Sequence, residues 1–118
     1  MSKQDYIDKA INWISKKQTI SIKAKLDSYE PPKIFTNKNT GEEIQADFSF
    51  ITQGGSKSYT EIALKSEMPR KLVTRWKLLS LMASMKSGKL YLLAPKGHKM
   101  FTKNLVDTYN INALVYGI

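Results

Sequence analysis

Two runs rich in β-forming residues, 42–52 and 59–65, flank the turn Gln53-Gly54-Gly55-Ser56-Lys57, and no other stretch constrains the chain as much. Strand-length runs on either side of a glycine pair predict an antiparallel hairpin. Side chains alternate between faces along a strand. Ile44, Ala46, Phe48 and Phe50 are therefore expected on one face of the first run, with Gln45, Asp47, Ser49 and Ile51 on the other. In the second run Glu61, Ala63 and Lys65 share a face, opposite Ile62 and Leu64. Pairing near the turn brings Asp47 of one strand toward Glu61 and Lys65 of the other. The second run is largely apolar on both faces, as expected of a central strand.

The rest of the chain supplies partners for this hairpin. Ser2 is the expected cap of a helix over 3–17, with Tyr6, Ile7, Ala10, Ile11, Trp13 and Ile14 at helical spacing. The alternation Ile20, Ile22, Ala24, Leu26 predicts a short strand. Pro31-Pro32 then closes a loop. Residues 33–36 form a further expected strand, turning through 37–41 into the first run of the hairpin. A long helix is predicted over 70–86, stopped by Ser87-Gly88, with Leu72, Val73, Trp76, Leu79, Met82 and Ala83 on its main apolar face. A buried strand over 89–94, a helix over 99–109 and a last strand over 113–116 complete the order. The expected fold is a single α/β domain spanning 1–118, its mixed sheet combining an antiparallel hairpin section with a βαβ section, flanked by helices.

Composition narrows the chemistry. With no cysteine and one histidine, His98, among 118 residues, thiol redox chemistry, disulfides and multi-histidine sites are excluded. No apolar run approaches the ~20 residues that a bilayer requires, and the amino terminus carries acids where a secretory signal would not. A cytoplasmic protein without a membrane partner is expected. The formal charge is +9 and uneven: residues 1–60 hold nine lysines against seven acids, whereas 61–118 hold ten basic residues against three acids. Between Met68 and Val106 there are nine basic residues and no acid. Such a field favours a polyanionic partner, nucleic acid first.

Arg70, Lys71, Arg75 and Lys77 open the long helix and are the expected phosphate grip. Leu78, Leu81 and Met85 form a second apolar stripe on that helix, the expected contact of a homodimer or of further cover from within the chain. Trp13 and Trp76 fall on apolar helix faces and are expected in the core. Gly54-Gly55 lacks the following lysine and helix of a phosphate loop.

The order helix, three-stranded meander, helix, strand, helix resembles the PD-(D/E)xK nuclease-like (restriction-endonuclease-like) fold from the first helix to about Val115. That family has an acid after a proline on the second core strand, then an acid, any residue and a lysine on the third. Ala46-Asp47 stands where the family has Pro-Asp, and Lys65 where it has the lysine. Ala63 departs from the acid two before it. Glu61 lies on the same strand face, about 6.6 Å further back. The resemblance implies Mg²⁺-dependent phosphodiester hydrolysis, on DNA ahead of RNA. Asp47 and Glu61 would hold the cation through oxygen ligands, and Lys65 would orient the attacking water and offset phosphate charge. Asp5 or Asp8 would stand in for an acid on the first helix. Because Ala63 cannot bind a metal, three readings stay open: a nuclease with a displaced second acid, a catalytically inactive nucleic-acid-binding or assembly protein, and strand residues with no joint role.

Overall fold

The computed structural model describes residues 3–17 and 19–118. A 3-10 turn, Lys3–Tyr6, leads into α1 (Ile7–Ser15), followed by β1 (Thr19–Ala24), β2 (Ile34–Thr36), β3 (Glu43–Gln45), β4 (Phe48–Thr52) and β5 (Lys57–Ile62). Then come α2 (Pro69–Ser84), β6 (Leu90–Ala94), α3 (Lys99–Thr108) and β7 (Ala113–Gly117). Five strands make one mixed sheet in the order β1-β4-β5-β6-β7, while β2 and β3 form a separate pair. The first three of the five are antiparallel, and β6 and β7 run parallel to β5. This is the α/β architecture expected from the sequence. The proposed Ser2 cap lies outside the described residues.

Local chemistry accounts for the principal turns. Gly55 takes φ +86° between β4 and β5, a conformation that Cβ-bearing residues rarely adopt. The Gly55 amide donates to the Thr52 carbonyl at 2.9 Å, and the Thr52 amide to that of Ser56 at 3.1 Å. Pro69 begins α2, where its missing amide costs nothing. At the other end Ser87 has φ 59° and the Gly88 amide donates to the Ala83 carbonyl, so the helix stops where the serine-glycine pair predicts.

The centre of the sheet, at β5 and β6, is buried on both faces. Ala10 and Ile14 of α1 pack on Ala24, Phe48, Phe50, Ile62 and Leu93. On the opposite face Val73, Trp76, Leu79 and Ala83 of α2, with Leu105 of α3, pack on Tyr59, Ala63, Leu90, Leu92 and Ala94. Both crossover helices fall on one face, as two same-handed parallel steps in one direction require. Each fully buried large apolar side chain contributes about 1.5–3 kcal/mol, so β5 and β6, enclosed on both sides, anchor the domain. Among the described residues no helix is long and apolar enough to cross a membrane.

Two differences from the sequence reading shape the site. The run 42–52 is not one strand: it divides into β3, which pairs with β2, and β4, which pairs with β1 and β5. The chain bends at Ala46-Asp47 and the alternation is reset. Ile44 and Ala46 consequently join the core beneath α2, whereas Phe48 and Phe50 join the core beneath α1. The second difference concerns β5, which ends at Ile62 and leaves Lys65 beyond the strand.

Candidate functional site

The site forms where β4 and β5 separate. Their register runs from Ile51 opposite Lys57 to Phe48 opposite Thr60. Beyond that point β5 continues beside β6, with Glu61 opposite Leu92 and Ile62 opposite Leu93, while the chain before β4 turns toward β3. Backbone amides freed by such a split would each cost about 1–3 kcal/mol if buried without a partner. Two carboxylates take them up. The Ile62 amide donates to Asp47 Oδ2 at 2.9 Å, and the Asp47 amide donates to Glu61 Oε2 at 2.8 Å. The hairpin thus brings the two predicted acids together, with Glu61 0% and Asp47 6% exposed.

Buried charges are tolerated when they are paired, and three cations converge here. Lys3 of the 3-10 turn places its ammonium 2.9 Å from Asp47 Oδ2 and 3.8 Å from Glu61 Oε2. Lys25, just past β1, lies 3.1 Å from Asp47 Oδ1. From α2, Arg75 pairs through Nε with Glu61 Oε1 and donates through Nη2 to Glu61 Oε2 at 3.3 Å and to the Gln45 carbonyl. The guanidinium fork suits this two-oxygen recognition.

The two acids titrate differently. Burial pushes the Glu61 carboxyl up and the Asp47 charge pushes it further; against Lys3 and Arg75 it stays above its ordinary 4.5. Burial also pushes Asp47 upward, but the Lys3 charge, hydrogen bonds with Glu61 and Lys3, and the Ile62 amide outweigh it. Asp47 is held below its ordinary 3.8. A proton shared by the pair therefore resides more readily on Glu61.

The donor set does not suit Mg²⁺. That ion needs near-octahedral oxygen coordination, yet each carboxylate oxygen of the pair already meets an ammonium, a guanidinium or an amide. Among the described residues no group of three or more His, Cys, Asp or Glu side chains is placed to hold a metal, so neither Asp5 nor Asp8 completes a triad. A divalent ion would have to enter a site that already carries three positive charges against two negative ones.

The other predicted residues are dispersed. Lys65 is exposed and its amide donates to His98 Nδ1 at 2.9 Å. Among the described residues the cations paired with the two acids are Lys3, Lys25 and Arg75, and Lys65 is not one of them. Arg70, Lys71 and Lys77 are exposed on α2, whereas Arg75 turns inward to Glu61. Leu78 packs partly against the core, while Leu81 and Met85 are 54% and 68% exposed.

Lys3 and Lys25 were not legible as site residues, because no local spacing ties either to Asp47. Arg75 did carry a signal: it flanks the apolar stripe of its helix, three residues after Leu72 and four before Leu79. Comparison with known protein families, with curated proteins and with solved structures finds no match.

Proposed function

We propose that this is a nuclease-like DNA-binding protein that does not cut. The observation that carries the reading is the occupancy of the acid pair: every carboxylate oxygen of Asp47 and Glu61 meets a donor supplied by the chain. The pair then closes the strand split and anchors Lys3, Lys25 and Arg75. No oxygen is left to recruit Mg²⁺.

The motif, aligned on geometry, supports the same reading. Glu61 meets Asp47 directly, so an acid, any residue, lysine pattern counted from Glu61 puts Ala63 at the lysine's position. Ala63 is 1% exposed and packed in the core beneath α2. The +9 charge supplies the attraction to a polyanion. A cytoplasmic setting and a homodimer through Leu81 and Met85 belong to the proposal, the latter because Leu81 on α2 and Met85 just past its end are both exposed one turn apart.

The test is DNA binding by fluorescence anisotropy across a salt series in the presence of Mg²⁺, with a gel reading cleavage in the same samples. The expected result is binding that weakens steeply with salt, intact DNA, and the same behaviour in Asp47→Asn. Mg²⁺-dependent cleavage that disappears in Asp47→Asn or Lys65→Ala would restore the metal-dependent nuclease. Absence of both binding and cleavage would leave the assembly-protein reading.

A further inference from the structure

The sheet face that α2 and α3 cover over β5 and β6 carries serine and lysine side chains, with Ile51, over β1 and β4. Ser21 and Lys23 of β1, Ser49, Phe50 and Ile51 of β4 and Lys57 of β5 line one narrow crevice there. In the register Lys23 lies opposite Ser49, and Ile51 opposite Lys57. The backbone of Lys86 and the side chain of Lys33 approach from outside the sheet. The Lys57 amide donates to the Lys86 carbonyl at 3.3 Å. Gly88 permits this approach, since a Cβ at that position would stand 1.8 Å from the Lys57 carbonyl oxygen. On the other side Lys33 lies 5.5 Å from the centre of the Phe35 ring, which packs edge-on against Tyr59 at 5.7 Å. Lys57 in turn sits 5.7 Å from the centre of the Tyr59 ring.

These lysines repel one another without a counter-ion. Among the described residues the ion pairs are made by Lys3, Lys25 and Arg75, and none by Lys23, Lys33, Lys57 or Lys86. Burial, then the charges of Lys23, Lys33 and Lys86, push the Lys57 ammonium below its ordinary value. An anion seated among them would reverse that effect.

We propose that Lys23, Lys33, Lys57 and Lys86 form a phosphate-binding site for a nucleic-acid backbone, separate from the exposed cations of α2. The inference rests on the DNA-binding reading and deepens it by naming the surface. The crevice, ≈ 10 Å³, has room for about one water, so the ligand lies across the lysines and is not enclosed between them. A chain of phosphates meets that requirement, and each lysine that neutralises one contributes roughly one to the salt slope of binding.

The experiment compares full-length wild type, Lys23→Ala/Lys57→Ala, Lys57→Arg and Arg70→Ala/Lys71→Ala/Lys77→Ala for binding to a short DNA duplex across a salt series. Anionic phospholipid vesicles and inorganic phosphate are the competing probes. The site predicts that Lys23→Ala/Lys57→Ala loses about two from the slope of log K against log salt. Its thermal midpoint should change little, because the removal of like charges offsets the lost contact between Lys57 and the Tyr59 ring. Lys57→Arg should keep the wild-type slope. DNA binding with an unchanged slope in the Lys23→Ala/Lys57→Ala variant, with loss only in the α2 variant, would overturn the site and leave the DNA-binding reading standing. Wild type that fails to bind DNA at low salt would overturn both. Binding to the vesicles or to phosphate, but not to DNA, would overturn the nucleic-acid assignment.

Discussion

Asp47 and Glu61 hold together two strands that are separating: the Asp47 amide donates to Glu61, and Asp47 accepts from the amide that follows Glu61. Each acid replaces a backbone partner lost where the chain passes from β3 into β4. The arrangement makes the pair part of the sheet's hydrogen bonding and fixes its orientation. It also explains why three cations gather around two acids with so little exposure.

Arg75 is the partner whose loss should be felt most in stability. Removing one member of a buried ion pair costs about 3–5 kcal/mol, because the remaining charge is left uncompensated. Lys3, 3.8 Å from Glu61 Oε2, offsets part of the charge left behind, so Arg75→Ala is expected to lower unfolding free energy by up to that amount in urea denaturation. Arg75→Lys should recover only part of it, since an ammonium cannot bridge both Glu61 oxygens and the Gln45 carbonyl as the guanidinium does.

The pair also predicts two pH effects of opposite sign. Asp47 is held below its ordinary 3.8, so its contribution is fully present above that pH and is lost as the pH falls through the lower folded value. Glu61 is held above its ordinary 4.5, so the folded state binds the extra proton and stability falls as the pH rises from 4.5 through the folded value. Denaturation midpoints measured against pH should show the acid-side loss reduced in Asp47→Asn. The decline above 4.5 should be reduced in Glu61→Gln. Profiles of both variants parallel to wild type would contradict the assigned shifts.

Lys17 makes a separate prediction on the opposite face of the sheet. Its ammonium lies 4.5 Å from the ring centre of Trp13 and 5.4 Å from those of Tyr91 and Tyr116, three rings drawn from α1, β6 and β7. A cation over aromatic faces is worth about 0.5–2 kcal/mol, depending on how far it is desolvated. Lys17→Met should therefore destabilise the domain by roughly 1 kcal/mol, while Lys17→Arg retains most of the stability. Thermal unfolding followed by tryptophan fluorescence would read the difference.

The sequence made the larger elements legible for identifiable reasons. In α2 a proline start, a long helical apolar pattern and the Ser87-Gly88 stop all agree, and the observed helix lies within two residues of the expected one at its far end. The apolar run of β6 and the glycine turn before β5 were equally direct. The break at Asp47 was hidden because Ile44, Ala46, Phe48 and Phe50 keep perfect alternation across it. Alternation reports which residues are buried, and here they are buried beneath different helices. Asp47 and Glu61 could be paired from the hairpin alone. Lys3 and Lys25 could not, because their approach to Asp47 depends on how α1 and β1 are set against the sheet. Lys65 was drawn into the site by spacing that assumed a longer β5.

Binding of a divalent ion is the measurement that bears most directly on the central claim, that Asp47 and Glu61 are neutralised by the chain's own cations. Titration of the full-length protein with Mn²⁺, followed calorimetrically and by the spectroscopic signal of free Mn²⁺, is expected to show no site that depends on Asp47, with wild type and Asp47→Asn indistinguishable. A single Mn²⁺ bound by wild type, competed by Mg²⁺ and lost in both Asp47→Asn and Glu61→Gln, would contradict it.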